Sequence, residues 1–325
     1  MTDPGPPMWE RSVLEKVALK ALDEQRRARQ WGALFKLLWF TLAFLVFASL
    51  MGWIGAPSRD SESASSIGRH TAVVDIEGVI GIEAEASAER VIKGLNRAFK
   101  DGNTAGVIVR INSPGGSPVQ AGYVNDEIRR LRAKHPEIPV HAVVQDLCAS
   151  GGYYIAVAAD RIYVDKASLV GSIGVIMGSF GFVGTLDKLG MERRSYTAGR
   201  NKDFLDPFQP ENPEHTAHVG RMLDEIHQQF IAVVRKGRGT RLKESPEIFS
   251  GLVWTGEKSV ELGLADALGS AEYVAREVIK ADKLVDFTVE ENYFEALSKR
   301  LGATFGAAFA REAASAAARA ALEVR

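Results

Sequence analysis

The feature that most constrains the fold of this chain is an alternation of strand, glycine turn and helix that repeats every roughly 30 to 40 residues. Apolar strand-like runs cover 71–76, 107–111 and 140–144, and helical spacing of apolar residues covers 86–100 and 119–134. This alternation predicts an α/β fold of repeated βαβ units around a parallel sheet. Ligand sites in such sheets lie beyond the carboxyl ends of the strands, and the glycine turns after the second and third strands fall at that edge.

The turn after the third strand contains Ser150, which directly precedes two glycines and a helix-compatible run at 153–159. A serine at such a corner has free backbone N–H groups beside it and the positive end of a helix dipole behind it. Those are the requirements of an acyl-transfer nucleophile with an oxyanion site. A tight turn with a serine N-cap is the simpler interpretation. Cys148, the only cysteine in the chain, is predicted to be a small buried side chain.

An uncharged segment of 22 residues, 37–58, precedes this region. About 20 apolar residues span a bilayer core, so we predict one transmembrane anchor within 31–57. Basic residues precede the segment, and the positive-inside rule places 1–30 in the cytoplasm and the folded domain in the periplasm, across the inner membrane. A buried core helix is usually shorter, and a cleaved signal peptide starts nearer the N-terminus. The Ser-rich stretch 58–69 is predicted to be a linker.

Composition and motifs exclude several classes of function. The 40 basic and 41 acidic residues give a net charge of −1 without a basic stripe, so nucleic acid is not an expected partner. No G-x-G-x-x-G opens a helix after a strand, and the turn at 112–116 lacks the Lys-Ser/Thr ending of a phosphate-binding loop. His215 and His218 share a helix face but have no evident third ligand. We therefore predict neither a metal nor another cofactor.

A serine hydrolase needs a base for its nucleophile, and the sequence offers several. The C-x-S-x-G around Ser150 differs from the G-x-S-x-G elbow of the α/β-hydrolases. His135 and His141 lie upstream, and no placed acid accompanies them. A lysine whose pKa is lowered by burial and neighbouring charge is the other known base for serine. Periodicity does not choose among the downstream lysines, which are Lys166, Lys188 and Lys202.

Five ordered blocks of residues resemble the signal peptide peptidases of the SppA type. The blocks are NSPGG at 112–116, CASGGYY at 148–154, GSIGV at 171–175, AGRNKD at 198–203, and WTG at 254–256 with GLAD at 263–266. Members of that family are membrane-anchored Ser-Lys proteases with the ClpP/crotonase fold. The resemblance covers about residues 70–285, and it is to the half-length form with one protease domain.

Carried over position by position, the resemblance implies roles for individual residues. Ser150 would be the nucleophile and Lys202 the general base that takes its proton and returns it to the leaving amine. The backbone N–H of Gly151, with one from Gly115 or Gly116, would form the oxyanion hole. The choice between those two glycines stays open at this point.

The resemblance also implies an orienting residue and partners. Ser172 is a candidate to hydrogen-bond the lysine ammonium. In half-length relatives the serine and the lysine meet across a protomer boundary in a ring, which implies a homo-oligomer whose isolated protomer is inactive. The implied substrates are cleaved signal peptides and other extended apolar peptides. An anchor that contacts lipid through 31–57 would keep the enzyme and these substrates in one layer.

Three further segments carry expectations. The glycine-spaced run 170–182 is expected to form either a strand that pairs with a bound peptide or a packed, buried strand. Asp206 stands where relatives carry Ser or Thr, and we expect its carboxylate to face solvent or to cap the helix predicted at 213–235. The alanine-rich residues 286–325 are predicted to form a helical tail.

Two other classes of protein compete with the protease. A membrane-tethered scaffold could use a catalytically silent protease fold only to bind peptides, but the presence of Ser150 and Lys202 disfavours it. A crotonase-like acyl-CoA enzyme shares the fold and the oxyanion site, but the membrane anchor and the Ser-Lys pair disfavour it.

Overall fold

The computed structural model describes four stretches of the chain, namely residue 27 and residues 29–32, 34–47 and 68–289. Most of the predicted cytoplasmic segment 1–30, the linker 58–69 and the tail 286–325 lies outside the described residues, as does 48–57 of the predicted anchor. The domain boundaries therefore stay predictions.

The first helix, α1, comprises Arg29–Phe47. Its 19 residues span about 28 Å at 1.5 Å per residue, close to the ~30 Å hydrocarbon core of a bilayer. Its apolar side chains, such as Phe35 and Trp39, are exposed. By length and composition α1 can cross a membrane, which is compatible with the predicted anchor.

Eight strands form one sheet within the described residues: β1 (His70–Glu77), β2 (Thr104–Ser113), β3 (Val140–Ala149), β4 (Arg161–Val164), β5 (Leu169–Gly171), β6 (Val253–Thr255), β7 (Ala267–Leu268) and β8 (Leu284–Asp286). The strand order is β6-β5-β3-β2-β1-β8, and β4 pairs with both β3 and β7. Every pairing is parallel except that of β5 with β6. The predicted α/β class with repeated βαβ units is confirmed.

Seven helices accompany the sheet in the same part of the chain: α2 (Ala88–Lys100), α3 (Pro118–Lys134), α4 (Gly151–Ala156), α5 (Val183–Leu189), α6 (Pro213–Arg238), α7 (Gly256–Glu261) and α8 (Ala271–Tyr273). The predicted helices at 86–100, 119–134 and 213–235 match α2, α3 and α6. The helix after Ser150 is shorter than the predicted run, since α4 ends at Ala156.

Both faces of the sheet are buried, which explains why its central strands are rich in Val and Ile throughout. Successive residues point to opposite faces, so Val74 and Val109 enter the core beneath α2 and α3. Val73 and Ile108 enter a second core with the turn of π-helix that continues α8, Val274–Ile279. The observed register of β2 and β3 sets the position of the turns that follow them.

The predicted strand at 170–182 is wrong beyond Gly171. The chain leaves the sheet where Gly171 and Ser172 adopt φ angles of 119° and 51°. No described residue between 176 and 182 belongs to a strand, and Ile176 is 92% exposed. Positive φ at two successive residues cannot be continued as β-structure, and the apolar residues that follow are left facing outward.

A buried ion pair joins the end of α6 to the sheet. Arg238, 1% exposed, donates to both carboxylate oxygens of Asp266 at 2.8 and 3.0 Å. Asp266 also accepts from the backbone N–H of Ile162 at 2.7 Å. Burial alone would raise the pKa of Asp266, but Arg238, the Ile162 N–H and the charge of Arg241 together outweigh it and lower that pKa.

Replacing Asp266 with alanine is expected to lower the free energy of unfolding by about 3–5 kcal/mol, because the buried Arg238 guanidinium loses its counter-charge and keeps, among the described residues, only its bond to the Gly263 carbonyl. Urea unfolding measures this loss. Glu244→Ala is the control and should have a much smaller effect, because it breaks an exposed ion pair with Arg235, which is on α6 like Arg238. Equal losses in the two variants would contradict the assignment.

The same pair predicts a pH dependence of stability. The folded-state pKa of Asp266 lies below its ordinary value of 3.8. Its ionised carboxylate therefore makes its full contribution to the free energy of unfolding above about pH 3.8. The contribution is lost as the pH falls from 3.8 through the lower folded-state pKa. Acid titration of the wild type and of Asp266→Ala should therefore show their stabilities converging at low pH.

Candidate active site

Ser150 occupies the corner between β3 and α4. Its φ of 51° and ψ of −118° place it in a region that residues other than glycine rarely adopt. Its backbone N–H donates to the carbonyl oxygen of Gly171 at 2.9 Å, which ties the corner to β5. Strain of this kind persists only where surrounding structure holds it, and it clusters at functional sites.

The glycine turn after β2 lies against this corner. The register of β2 and β3 pairs Ser113 with Cys148, so the two turns leave the sheet side by side. A Cβ on Gly115 would lie 2.7 Å from the backbone nitrogen of Gly151 and 2.7 Å from the Cβ of Ser150. Only glycine permits this approach, because Gly115 also has a φ of 99°.

The hydrogen bonds of the turn distinguish its two glycines. The N–H of Gly115 donates to Ser113 Oγ at 3.1 Å, and that hydroxyl donates to the carbonyl of Gly78 at 2.6 Å. The N–H groups of Gly116 and Gly151 make no hydrogen bond within the described residues. A Cβ on Gly151 would lie 3.3 Å from the Gly116 nitrogen, so these two free donors are neighbours beside the serine.

A pocket of about 680 Å³ opens at this corner, and both Ser150 and Ser172 line it. Ser172 shares the unusual φ of 51° and donates its N–H to the carbonyl of Leu252 at 2.7 Å. Most other walls are apolar. They include Val119, Tyr154, Val175, Ile176, Ile226 and Phe230.

No histidine, lysine, aspartate or glutamate lines this pocket within the described residues. His141 lies near the start of β3, at the opposite end of the strand from the Ser150 corner. It packs edge-on against Tyr163, and burial lowers the pKa of its imidazole. These observations disfavour His141 as the base, and none of the three candidate lysines is a pocket residue in this chain.

Lys202 is exposed and lies in a run of turns that precedes α6. Its N–H donates to the carbonyl of Gly199 at 3.1 Å, and the ring of Phe204 packs on His215 near the start of α6. Phe230, which lines the pocket, is 15 residues further along that helix, or about 22 Å at 1.5 Å per residue. The structure thus places Ser150, Ser172 and the glycines together and leaves Lys202 outside their pocket.

The expectation for Asp206 is wrong. Its side chain is 7% exposed, accepts from the N–H of Phe208 at 3.0 Å and pairs with Arg193 at 3.2 Å. The helix cap that it was expected to provide is made by Asn212, whose side chain accepts from Glu214 N. The Arg193 guanidinium also lies 5.4 Å from the Phe208 ring, so Arg193 contacts both Asp206 and Phe208.

Two other residues complete the description of the site. Cys148 is fully buried in the core, and burial raises the pKa of its thiol, so its predicted role as a small buried side chain is confirmed. His227 of α6 was missed by the sequence reasoning. Its Nε2 lies 3.1 Å from the carbonyl oxygen of Ile173, which fastens the segment after β5 to α6. No local sequence pattern indicates this contact, because the two residues are 54 positions apart in the chain.

Comparison with known proteins identifies the family. The model of the family described as Peptidase family S49 matches residues 132–285, which include Ser150, Ser172 and Lys202. A protein of Synechocystis sp. named "Putative protease" is 31% identical over 60% of this chain and 69% of its own length. The chain belongs to peptidase family S49. The predicted relationship is therefore confirmed, and family S49 membership supports the predicted serine peptidase.

Other similar proteins differ in how much of their length is matched. The Enterococcus faecium protein named "Putative signal peptide peptidase SppA" is 29% identical over 67% of this chain and 65% of its own length. A Brucella melitensis protein named "Na(+)/H(+) antiporter NhaA" is 49% identical over 54% of this chain. The match covers only 24% of that protein's length, so most of the protein named as an antiporter lies outside the matched region.

Proposed function

We propose that this chain is a membrane-anchored serine endopeptidase that degrades cleaved signal peptides and other extended apolar peptides. The observation that carries the proposal is the strained Ser150 corner, with the free N–H groups of Gly116 and Gly151 beside it. Membership of peptidase family S49 supports the reaction class. The apolar helix α1 supports anchoring, with the peptidase domain on the periplasmic side of the inner membrane.

The proposed chemistry is acyl transfer in two steps. Ser150 Oγ attacks the scissile carbonyl carbon while Lys202 Nζ takes the hydroxyl proton, and the lysine then returns that proton to the leaving amine. The N–H groups of Gly116 and Gly151 stabilise the oxyanion of the tetrahedral intermediate. The N–H of Gly115 is already used by Ser113, which favours Gly116 as the second donor. Water then hydrolyses the acyl-enzyme, and Ser172 holds the lysine ammonium.

We place the two members of the dyad in neighbouring protomers. Among the described residues, the pocket of one chain offers Ser150 no acidic or basic side chain. Lys202 does not line it, and its segment packs on His215, which lies about 16 Å along α6 before the pocket residue Ile226. The chain between Ser172 and Lys202 exposes large apolar side chains that a second copy of this protein would bury in a closed ring. These side chains are Ile176, Met177, Leu189, Met191 and Tyr196.

The pocket favours apolar substrate side chains. Its walls carry Val119, Val175, Ile226 and Phe230, and burial of one large aliphatic side chain contributes about 1.5–3 kcal/mol. Signal peptides are rich in such residues, and the anchor holds the enzyme in the layer where these peptides remain, which raises their effective concentration.

Incubation of the detergent-solubilised full chain with an unstructured apolar peptide tests the function. Cleavage into fragments supports the endopeptidase. Saturable peptide binding without cleavage would instead support the membrane-tethered scaffold. Hydrolysis of an acyl-CoA in place of the peptide would support the crotonase-like enzyme.

Gly116→Ala is expected to reduce kcat by about 10²–10³-fold, the loss typical of removing one oxyanion donor. The new Cβ would overlap the carbonyl oxygen of Ile80, so the turn and its N–H must move. Gly122→Ala in α3 is the control, because nothing lies within 4 Å of its Cβ and alanine favours a helix. A folded Gly116→Ala enzyme with the wild-type kcat would rule out this donor.

A further inference from the structure

The segment that carries Lys202 is built from consecutive tight turns. The N–H of Lys202 donates to Gly199 at 3.1 Å, that of Phe204 to Asn201 at 3.2 Å, and that of Asp206 to Asp203 at 3.0 Å. Leu205 has a φ of 57°. Backbone bonds of this kind shape the segment internally, but they do not fix its position relative to the rest of the protein.

Phe204 connects this segment to α6. Its ring centroid lies 4.9 Å from the ring of His215 and 5.7 Å from the ring of His218. Both distances lie in the range of about 4.5–7 Å that favourable aromatic pairs adopt. The two histidines are three residues apart, so they stand on one face of the helix and flank Phe204 together. This contact gives the histidine pair a role that needs no metal.

α6 carries the connection onward to the serine. Its first turn is capped by Asn212, and further along Phe230 packs on Tyr154 with a ring separation of 5.2 Å. Tyr154 belongs to α4, the helix that begins directly after Ser150. The lysine segment is therefore fastened by Phe204 to the same helix that forms part of the serine pocket.

We propose that Phe204 is a positioning residue for Lys202, and that its place between His215 and His218 sets where the lysine is presented. This inference rests on the proposed function, in which Lys202 is the base. A lysine has a long flexible stem, so its backbone must be fixed for its amine to be placed. Misplacement of a reacting group by about 1 Å can cost on the order of 10²-fold in rate.

Steady-state kinetics of Phe204→Ala with the apolar peptide is the first test. We expect kcat to fall by about 10–100-fold and KM to change by less than about threefold, because Phe204 does not line the substrate pocket. Phe204→Tyr keeps the ring and should stay within about threefold of the wild-type kcat. Phe287→Ala, which removes a phenylalanine stacked on His70 at 5.9 Å, is the matched control and should keep the wild-type kcat.

A wild-type kcat in Phe204→Ala would overturn the proposal. So would a parallel loss in Phe204→Ala and Phe204→Tyr, since the ring contact survives in the second variant. Size-exclusion chromatography and thermal unfolding of each variant separate these outcomes from a failure to fold or assemble.

Mixed rings test whether Phe204 acts on the lysine of its own chain. Ser150→Ala chains supply only lysines and Lys202→Ala chains supply only serines. We expect Phe204→Ala to lower the recovered activity by about 10–100-fold when it is added to the lysine-supplying chain. It should leave that activity within about threefold when it is added to the serine-supplying chain. Equal effects in both placements would overturn the positioning role. Recovery that is absent even without the Phe204 change would contradict the shared dyad alone, and the kcat test would still decide on Phe204.

Discussion

Ser150→Ala is expected to reduce peptide cleavage by about 10³–10⁶-fold, because removing the nucleophile of a cooperative catalytic unit removes nearly all of its contribution. The apolar walls of the pocket are untouched by this change, so peptide binding should persist at close to the wild-type affinity. Cleavage measured by mass spectrometry and binding measured by fluorescence anisotropy test the two halves of the expectation. Loss of kcat with retained binding identifies a group used for chemistry.

Ser270→Ala is the matched control for this experiment. Ser270 also stands at the start of a helix, where its hydroxyl accepts from the N–H of Tyr273, but it does not line the pocket. We expect it to lower stability by about 0.5–2 kcal/mol and to keep the wild-type rate. Cleavage that survives Ser150→Ala in a folded protein would remove the nucleophile assignment and with it the proposed reaction.

The sheet and its turns could be predicted because their signals are local. The runs of Val and Ile in β1, β2 and β3 follow from burial on both faces, and the glycines after β2 follow from a turn that only glycine can form. Parallel strands place their carboxyl ends at one edge. The sequence was therefore sufficient to bring Gly115, Gly116 and Ser150 together.

The rest of the site depends on contacts that have no local pattern. Arg193 meets Asp206 across 13 positions of the chain, and no periodicity links residues so spaced. The apolar face of α6 predicted a helix but not that Ile226 and Phe230 would line a pocket. The residues after Gly171 looked like a strand because apolar composition is shared by buried strands and by exposed apolar surfaces such as this one.

α6 contacts both the segment that carries Lys202 and the pocket that contains Ser150. Its first turns hold Phe204 and so the lysine segment, whereas its middle forms a wall of the serine pocket. A straight helix cannot bring its own two ends together, so a chain with the proposed base near one end of α6 and the pocket further along is suited to contribute to two different sites. This arrangement makes a specific prediction about mixtures of inactive chains.

Co-assembled Ser150→Ala and Lys202→Ala chains are expected to recover activity that neither variant has alone. In a randomly mixed ring, one site in two has an intact serine, and one in two of those faces an intact lysine, so recovery should approach about a quarter of the wild-type rate. A dyad formed within one chain predicts no recovery, because every chain then lacks one member. The control replaces the lysine donor with a Ser150→Ala/Lys202→Ala double variant, which assembles the same ring and should stay inactive. Confirmed mixed rings without recovery would contradict the shared dyad, whereas recovery lost only with the double variant would assign the base of each Ser150 to the Lys202 of its neighbour.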